Sequence, residues 1–180
     1  YKTLWSKTDM SNLRLINETT ASNVANVSIT DVFSADFDIY KITILQDTGA
    51  GNSVKTQLIN SSGSTITTSN YAYAQYQMRS NTSFSDADRS ASTDSMRIFL
   101  QGTEDSGTTM YIFNPFSSSS YTFGLAQQSL YYGGAGIPQM SMKTIGALKL
   151  TTSCTGIKFT PITPNFTDFN CKIYGLRVDS

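Results

Sequence analysis

Two segments near the C-terminal end of the chain constrain its fold most. Gly156-Ile157-Lys158-Phe159-Thr160-Pro161 and Cys171-Lys172-Ile173-Tyr174-Gly175-Leu176-Arg177-Val178 both alternate side-chain character with a period of two. Successive side chains of a strand point to opposite faces, so this alternation marks strands buried on one face. The second segment runs almost to Ser180 and is expected to close a β domain.

The same period continues upstream. Val24 to Ile29 reads as a strand, with Val27, Ile29 and Phe33 on one parity. Ile39 to Leu45 sets Tyr40, Ile42 and Ile44 against Lys41 and Thr43. Val54 to Ile59, Tyr71 to Met78, Met96 to Gln101, Met110 to Phe113, Tyr121 to Ala126, Met140 to Ile145 and Leu148 to Thr151 continue the series. Turn chemistry separates them at 47–52, 61–64, 102–107 and 133–136, where Gly supplies positive φ and Ser, Asn and Asp bond back to the backbone. Pro115 ends the Met110 to Phe113 strand, because proline cannot donate to a ladder. Gly175 inside the last strand permits close approach of a large neighbour, Tyr40 or Phe159, or marks a bulge. No long stretch carries apolar residues at helical spacing. The best helical candidate, Phe84 to Ser92, reads equally well as a loop. About ten short strands without helices predict an all-β fold, an antiparallel two-sheet β-sandwich of jelly-roll-like winding. Residues 13–180 form that single domain, and residues 1–12, with weak patterning and one Trp, read as an N-terminal arm reaching a neighbouring subunit.

Charge narrows the partners. Only 14% of the 180 residues are charged, against about 25% in an average soluble protein, and 13 Lys and Arg balance 13 Asp and Glu. A nucleic-acid binder needs a basic face to displace counterions, so nucleic acid is not an expected partner. Ser and Thr make up roughly a quarter of the chain, giving a hydroxyl-rich surface of the kind common on extracellular and virion proteins. No stretch approaches the ~18 apolar residues of a membrane-spanning helix, and membrane insertion is not expected. The chain begins at Tyr1 rather than Met, which fits a trimmed N-terminus or the ordered part of a longer protein.

Catalytic chemistry finds little to work with. There is no His, which removes the commonest general base and metal ligand and makes a Ser-His-Asp or Cys-His site impossible within the chain. Two cysteines without His are too few for a zinc site. Paired carboxylates could still serve glycoside hydrolysis. Glu18, Asp36/Asp38, Asp86/Asp88/Asp94 and Glu104/Asp105 all fall in predicted loops or strand edges, where solvated carboxylates are usual. Asp86-x-Asp88 with Asp94 lacks the Gly and Glu of a calcium loop, and Gly133-Gly134-Ala135-Gly136 lacks the Lys-Ser/Thr of a phosphate loop. Sequons at Asn17, Asn26, Asn60, Asn81 and Asn165 are expected by chance in so polar a chain. The expectation is therefore a protein that is not an enzyme, with no cofactor, no metal and no catalytic residues. For the cysteines, a hairpin of 156–160 with 171–177 centred near Asn165 would set Cys154 and Cys171 on the order of 15 Å apart, too far for a disulfide. Two free thiols suit assembly in a reducing cytoplasm.

Aromatics offer the recognition surface. Tyr71, Tyr73 and Tyr76 occupy both parities of one strand, so one set is core and the other is exposed or buried against another subunit. Tyr131 and Tyr132 precede the glycine run in a predicted loop and are the candidate ligand-binding residues, since exposed tyrosines stack on sugar rings and anchor protein interfaces.

Three segments carry a resemblance. Asp31-Val32-Phe33-Ser34-Ala35-Asp36-Phe37-Asp38-Ile39-Tyr40-Lys41-Ile42-Thr43-Ile44 is similar to a strand entry found in many tailed-phage structural proteins. Ile112-Phe113-Asn114-Pro115-Phe116 resembles their mid-chain Asn-Pro motif. Asn165-Phe166-Thr167 through Ile173-Tyr174-Gly175-Leu176 resembles their C-terminal ending, with Asp168-Phe169-Asn170 in place of the usual Ser-Gly. The resemblance implies a jelly-roll-like virion surface protein, made in the cytoplasm of a bacterial host and frequently a homotrimer, with other virion proteins as partners. It carries no catalytic residues. The reading that follows is a fibre or receptor-binding module contacting host surface glycans. The alternatives are a decoration or cement protein on the capsid lattice and a glycan-degrading enzyme.

Overall fold

The computed structural model describes residues 12–47, 53–80, 85–100, 104–131, 139–162 and 165–176, with the backbone alone at 85–87. Twelve strands form two antiparallel sheets: β1 Leu13–Val24, β2 Val27–Ile29, β3 Ile39–Asp47, β4 Ser53–Asn60, β5 Tyr71–Arg79, β6 Ser85–Thr93, β7 Met96–Leu100, β8 Ser106–Phe113, β9 Thr122–Leu130, β10 Met140–Leu148, β11 Cys154–Pro161 and β12 Phe166–Leu176. The large sheet has the order β1-β12-β3-β8-β9-β10-β5-β6, and the small one β2-β11-β4-β7. There is no helix among the described residues.

The winding is that of a jelly roll. β1 pairs with β12, β2 with β11, β3 with β8 and β4 with β7, a nested set in which the chain folds back on itself as one long ribbon. Two hairpins are inserted into it. β5–β6 follows β4, β9–β10 follows β8, and both extend the large sheet beyond β8. The core between the sheets holds Tyr40, Ile42, Ile44, Leu58, Phe99, Met110, Ile112, Phe159 and Phe166, all essentially without solvent contact.

Several strands differ from their sequence expectations for local reasons. Val24 to Ile29 is not one strand. Asn23 adopts a left-handed φ of 52°, β1 ends at Val24, and the chain crosses to the small sheet before β2 begins. The described part of the segment expected as helix or loop, Phe84 to Ser92, is neither; Ser85–Thr93 is the edge strand β6, held by the ladder to β5. Of the strands expected at Met140 to Ile145 and Leu148 to Thr151, the first extends to Leu148 as β10 and the second does not form. The segments 156–160 and 171–177 do not form a hairpin. β11 lies between β2 and β4, and β12 between β1 and β3 in the opposite sheet. Cys154 and Cys171 are nevertheless both free and both buried.

The three segments singled out in the sequence, at 31–44, 112–116 and 165–176, meet in one place. Phe33, Phe37 and Tyr40 form an edge-on aromatic trio, with centroids 4.7 and 5.8 Å apart. The Tyr40 hydroxyl donates to the Ser34 carbonyl at 3.1 Å and accepts from the Ser34 amide at 2.7 Å. Asn114, with φ of 54°, turns the chain out of β8 and donates its amide to the Asp38 carbonyl at 2.7 Å. The Pro115 carbonyl then accepts from Cys154 at the start of β11, which ties the two sheets together. Gly175 completes the cluster. Its register partner is Tyr40, but the ring pressed against it is Phe37, and β12 passes it without a bulge.

On its outer face the large sheet is divided into rows across the strands. One row runs Leu13–Leu176–Ile39–Phe113–Phe123–Ala147. The next carries Leu15, Tyr174, Lys41, Tyr111, Leu125 and Ile145. A third is polar, with Glu18, Lys172, Thr43, Thr109, Gln127 and Lys143. Beyond it lie Thr20, Asn170, the exposed Leu45, Gly107, Ser129 and Ser141.

Candidate functional site

Beyond the polar row this outer face is hollowed twice, and Asp105 lines both hollows. Asp105 stands immediately before β8. The first hollow, of 390 Å3, is bounded by Ser80 at the end of β5, Ser129, Leu130 and Tyr131 at the end of β9, and Gln139 at the start of β10. The second, of 490 Å3, lies across the ends of β1, β3 and β12 and is lined by Thr20, Ser22, Gln46, Asp168 and Asn170 among others. Tyr131 is 46% exposed. No Lys or Arg is among the described residues lining either hollow, whereas two carboxylates are.

The hollow beside Tyr131 is built almost entirely from the two inserted hairpins. Parity places Tyr131 there: residues 123, 125, 127 and 129 face outward along β9, and the ring continues that series past the strand end. The Ser80 amide donates to the Gln139 carbonyl at 3.0 Å, fixing the neighbouring strand ends. Beneath Asp105, Ser106 turns inward and accepts from the Gln46 amide at 2.6 Å. A ligand site grafted onto insertions leaves the packed body of the roll undisturbed.

Of the two tyrosines chosen from sequence, Tyr131 is at this site, and Tyr132 lies outside the described residues, as do the 133–136 glycine run and residues 1–11. Asp105 was legible only as a turn carboxylate. Ser80, Gln139 and Asp168 gave no local signal, because they come together only through strand pairing.

Three of the other acidic candidates, Asp88, Asp94 and Glu18, are engaged in ion pairs. Asp88 accepts from Arg97 at 3.0 Å and from the Tyr73 hydroxyl at 2.9 Å. Burial first, and then the bond to Asp88, push the Tyr73 hydroxyl up to about 12. Asp94 accepts from Lys55 at 2.9 Å and from Ser95, and the Lys55 bond holds its carboxyl below the usual range. Glu18 pairs with Lys172 at 3.2 Å. Of the tyrosines on β5, Tyr71 and Tyr73 are buried and Tyr76 is exposed, as the parity argument expects.

Comparison with protein families, with curated proteins and with solved structures finds no match to this chain.

Proposed function

We propose that the chain is a non-enzymatic surface module of a phage virion that binds a neutral or amine-bearing glycan of the host surface in the hollow beside Tyr131. The observation that carries this reading is one exposed aromatic ring flanked by Ser80, Asp105, Ser129 and Gln139, with no Lys or Arg among the described residues that line the hollow. A hexose presents an apolar C–H face and a rim of hydroxyls. The ring suits the first, and the hydroxyl, amide and carboxylate groups suit the second. Asp105 and Asp168 disfavour an acidic sugar, since like charges repel and no Lys or Arg offsets them among the described lining residues. The virion location rests on the three phage-like segments, which cluster around Phe37 as one packing unit.

The test is titration of the protein with panels of neutral, amine-bearing and acidic oligosaccharides. Binding is expected in the first two panels, and Tyr131→Ala should weaken it about tenfold, the loss of one stacking contact. Asp105→Asn should relax the bias against acidic sugars. Undiminished binding by Tyr131→Ala, or no binding in any panel, overturns the reading. Hydrolysis of a bound glycan that disappears in Asp105→Asn would replace it with an enzyme. Copy number per virion separates a fibre, present in a handful of copies, from a capsid decoration present in hundreds.

A further inference from the structure

The two hollows lie on one line across the strands, and the residue between them is a glycine. The row beyond the polar one runs Thr20–Asn170–Leu45–Gly107–Ser129–Ser141. Thr20, Asn170 and Leu45 line the larger hollow, and Ser129 lines the one beside Tyr131. Gly107 pairs with Leu45 on one side and with Ser129 on the other. Asp105, two residues earlier, belongs to both hollows. From Ser80 at the end of β5 to Ser22 on β1 the line crosses seven adjacent strands, about 29 Å at ~4.8 Å between strands. Each hollow alone has the size of a small-molecule site. A ligand that fills both has to be a chain.

Packing does not account for Gly107. Gly124, Gly146, Gly156 and Gly175 each face a neighbour that an added β-carbon would meet at 3.1 Å or less. At Gly107 the one described atom within 4 Å is Leu45 Cδ2, at 3.7 Å, an ordinary contact. Its backbone asks for no glycine either, since Gly63 is the one described glycine with a positive φ. A glycine inside a strand weakens it, and its usual reasons are a bulge or the close approach of a backbone or a ligand. β8 passes Gly107 without a register shift on either side, which removes the bulge. The approach of a ligand is the reason left. With no side chain at 107, the crossing between the hollows stays at the level of the backbone. Leu45, 62% exposed and leaning toward Gly107, offers an apolar surface there for the C–H face of a sugar.

We propose that the two hollows are subsites of one groove, and that its ligand is a linear oligosaccharide laid across the strands over Gly107, with one end on Tyr131 and the other beside Asn170. This rests on the glycan reading of the Tyr131 hollow and adds to it the length and direction of the ligand. The experiment is titration of the full chain with neutral and amine-bearing hexose oligomers of graded length, from monosaccharide to hexasaccharide. Hexasaccharides should bind about tenfold tighter than disaccharides, the worth of one or two further hydrogen bonds. Gly107→Ile should abolish that gain by raising a wall between the hollows. The change suits the fold, because a β-carbon has room there and isoleucine favours strands. Should that chain misfold, Asn170→Ala at the far end of the groove reads the same effect, a loss confined to the longer oligomers. Tyr131→Ala should weaken binding at every length. Affinity that depends on Tyr131 but not on length, or a length gain that survives either groove variant in folded form, overturns the continuous groove and leaves the Tyr131 site standing. No binding at any length overturns both.

Discussion

A β-carbon added at Gly175 would lie 2.5, 2.6 and 2.7 Å from three carbons of the Phe37 ring. That ring has little room to retreat. Tyr40 stands against it at 5.8 Å, and the Tyr40 hydroxyl is bonded twice to Ser34. Gly175→Ala is therefore an overpacking change and should cost about 1–3 kcal/mol in urea unfolding. Trimming the ring with Phe37→Leu in the same chain should return part of that loss, a coupling that sites without contact would not show. Gly156 meets the same constraint against the Ile29 carbonyl, where β2 closes on β11. Glycine within a strand pattern signals close approach, so the need at Gly175 was readable from sequence. The neighbour was not. Tyr40 and Phe159 were the rings expected there, and Phe37 occupies the place because the loop before β3 folds over β12.

At the scale of elements, β7 shows how an exposed strand edge is covered. It pairs only with β4 in the small sheet. Its free edge meets glutamines of the large sheet. Gln128 accepts from the Leu100 amide at 2.9 Å and donates to the Leu100 carbonyl, Gln46 donates to the same carbonyl at 3.0 Å, and Gln75 donates to the Arg97 carbonyl. Side-chain amides thus stand in for a missing strand and block edge-to-edge association. Gln128→Leu would leave the buried Leu100 amide without its acceptor and should cost about 1–3 kcal/mol, read as a lower urea midpoint at unchanged slope. The Thr144 hydroxyl, buried and without a partner among the described residues, provides the contrast: Thr144→Val should be neutral or stabilising. Strand β6 escaped sequence reading for a related reason. Its Asp, Arg and Ser residues show no apolar alternation, because it is an edge held by its ladder and by the Asp88–Arg97 ion pair rather than by a buried face.

Across the whole molecule, four buried acids favour their neutral forms. Burial pushes the Cys154 and Cys171 thiols from 9.0 up to about 12 and Tyr73 from 10.0 up to about 12, and it raises Tyr71 as well. The sign follows from proton binding: the folded state holds these protons more tightly than the unfolded state does. Their contribution to stability is complete below the unfolded values and is lost as pH rises through the folded ones. The urea midpoint should hold steady up to pH 9 and fall between pH 9 and 12, with Tyr73→Phe softening the fall. A midpoint that stays flat through pH 12 would contradict this.

Alternation of side chains is a property of neighbours in the chain, so the sequence alone determined the β class, most strand positions and the inward faces such as Tyr40, Ile42 and Ile44. Asn114 and Pro115 likewise marked the end of β8 through their own backbone geometry. Which strand meets which is a matter of distant partners. The separation of β11 from β12, the convergence of Asp105 with Tyr131 and the alignment of apolar residues across the outer face were decided only by the tertiary structure. Each depends on which segments far apart in the chain are paired, and a local pattern fixes the face a strand buries without naming its partner.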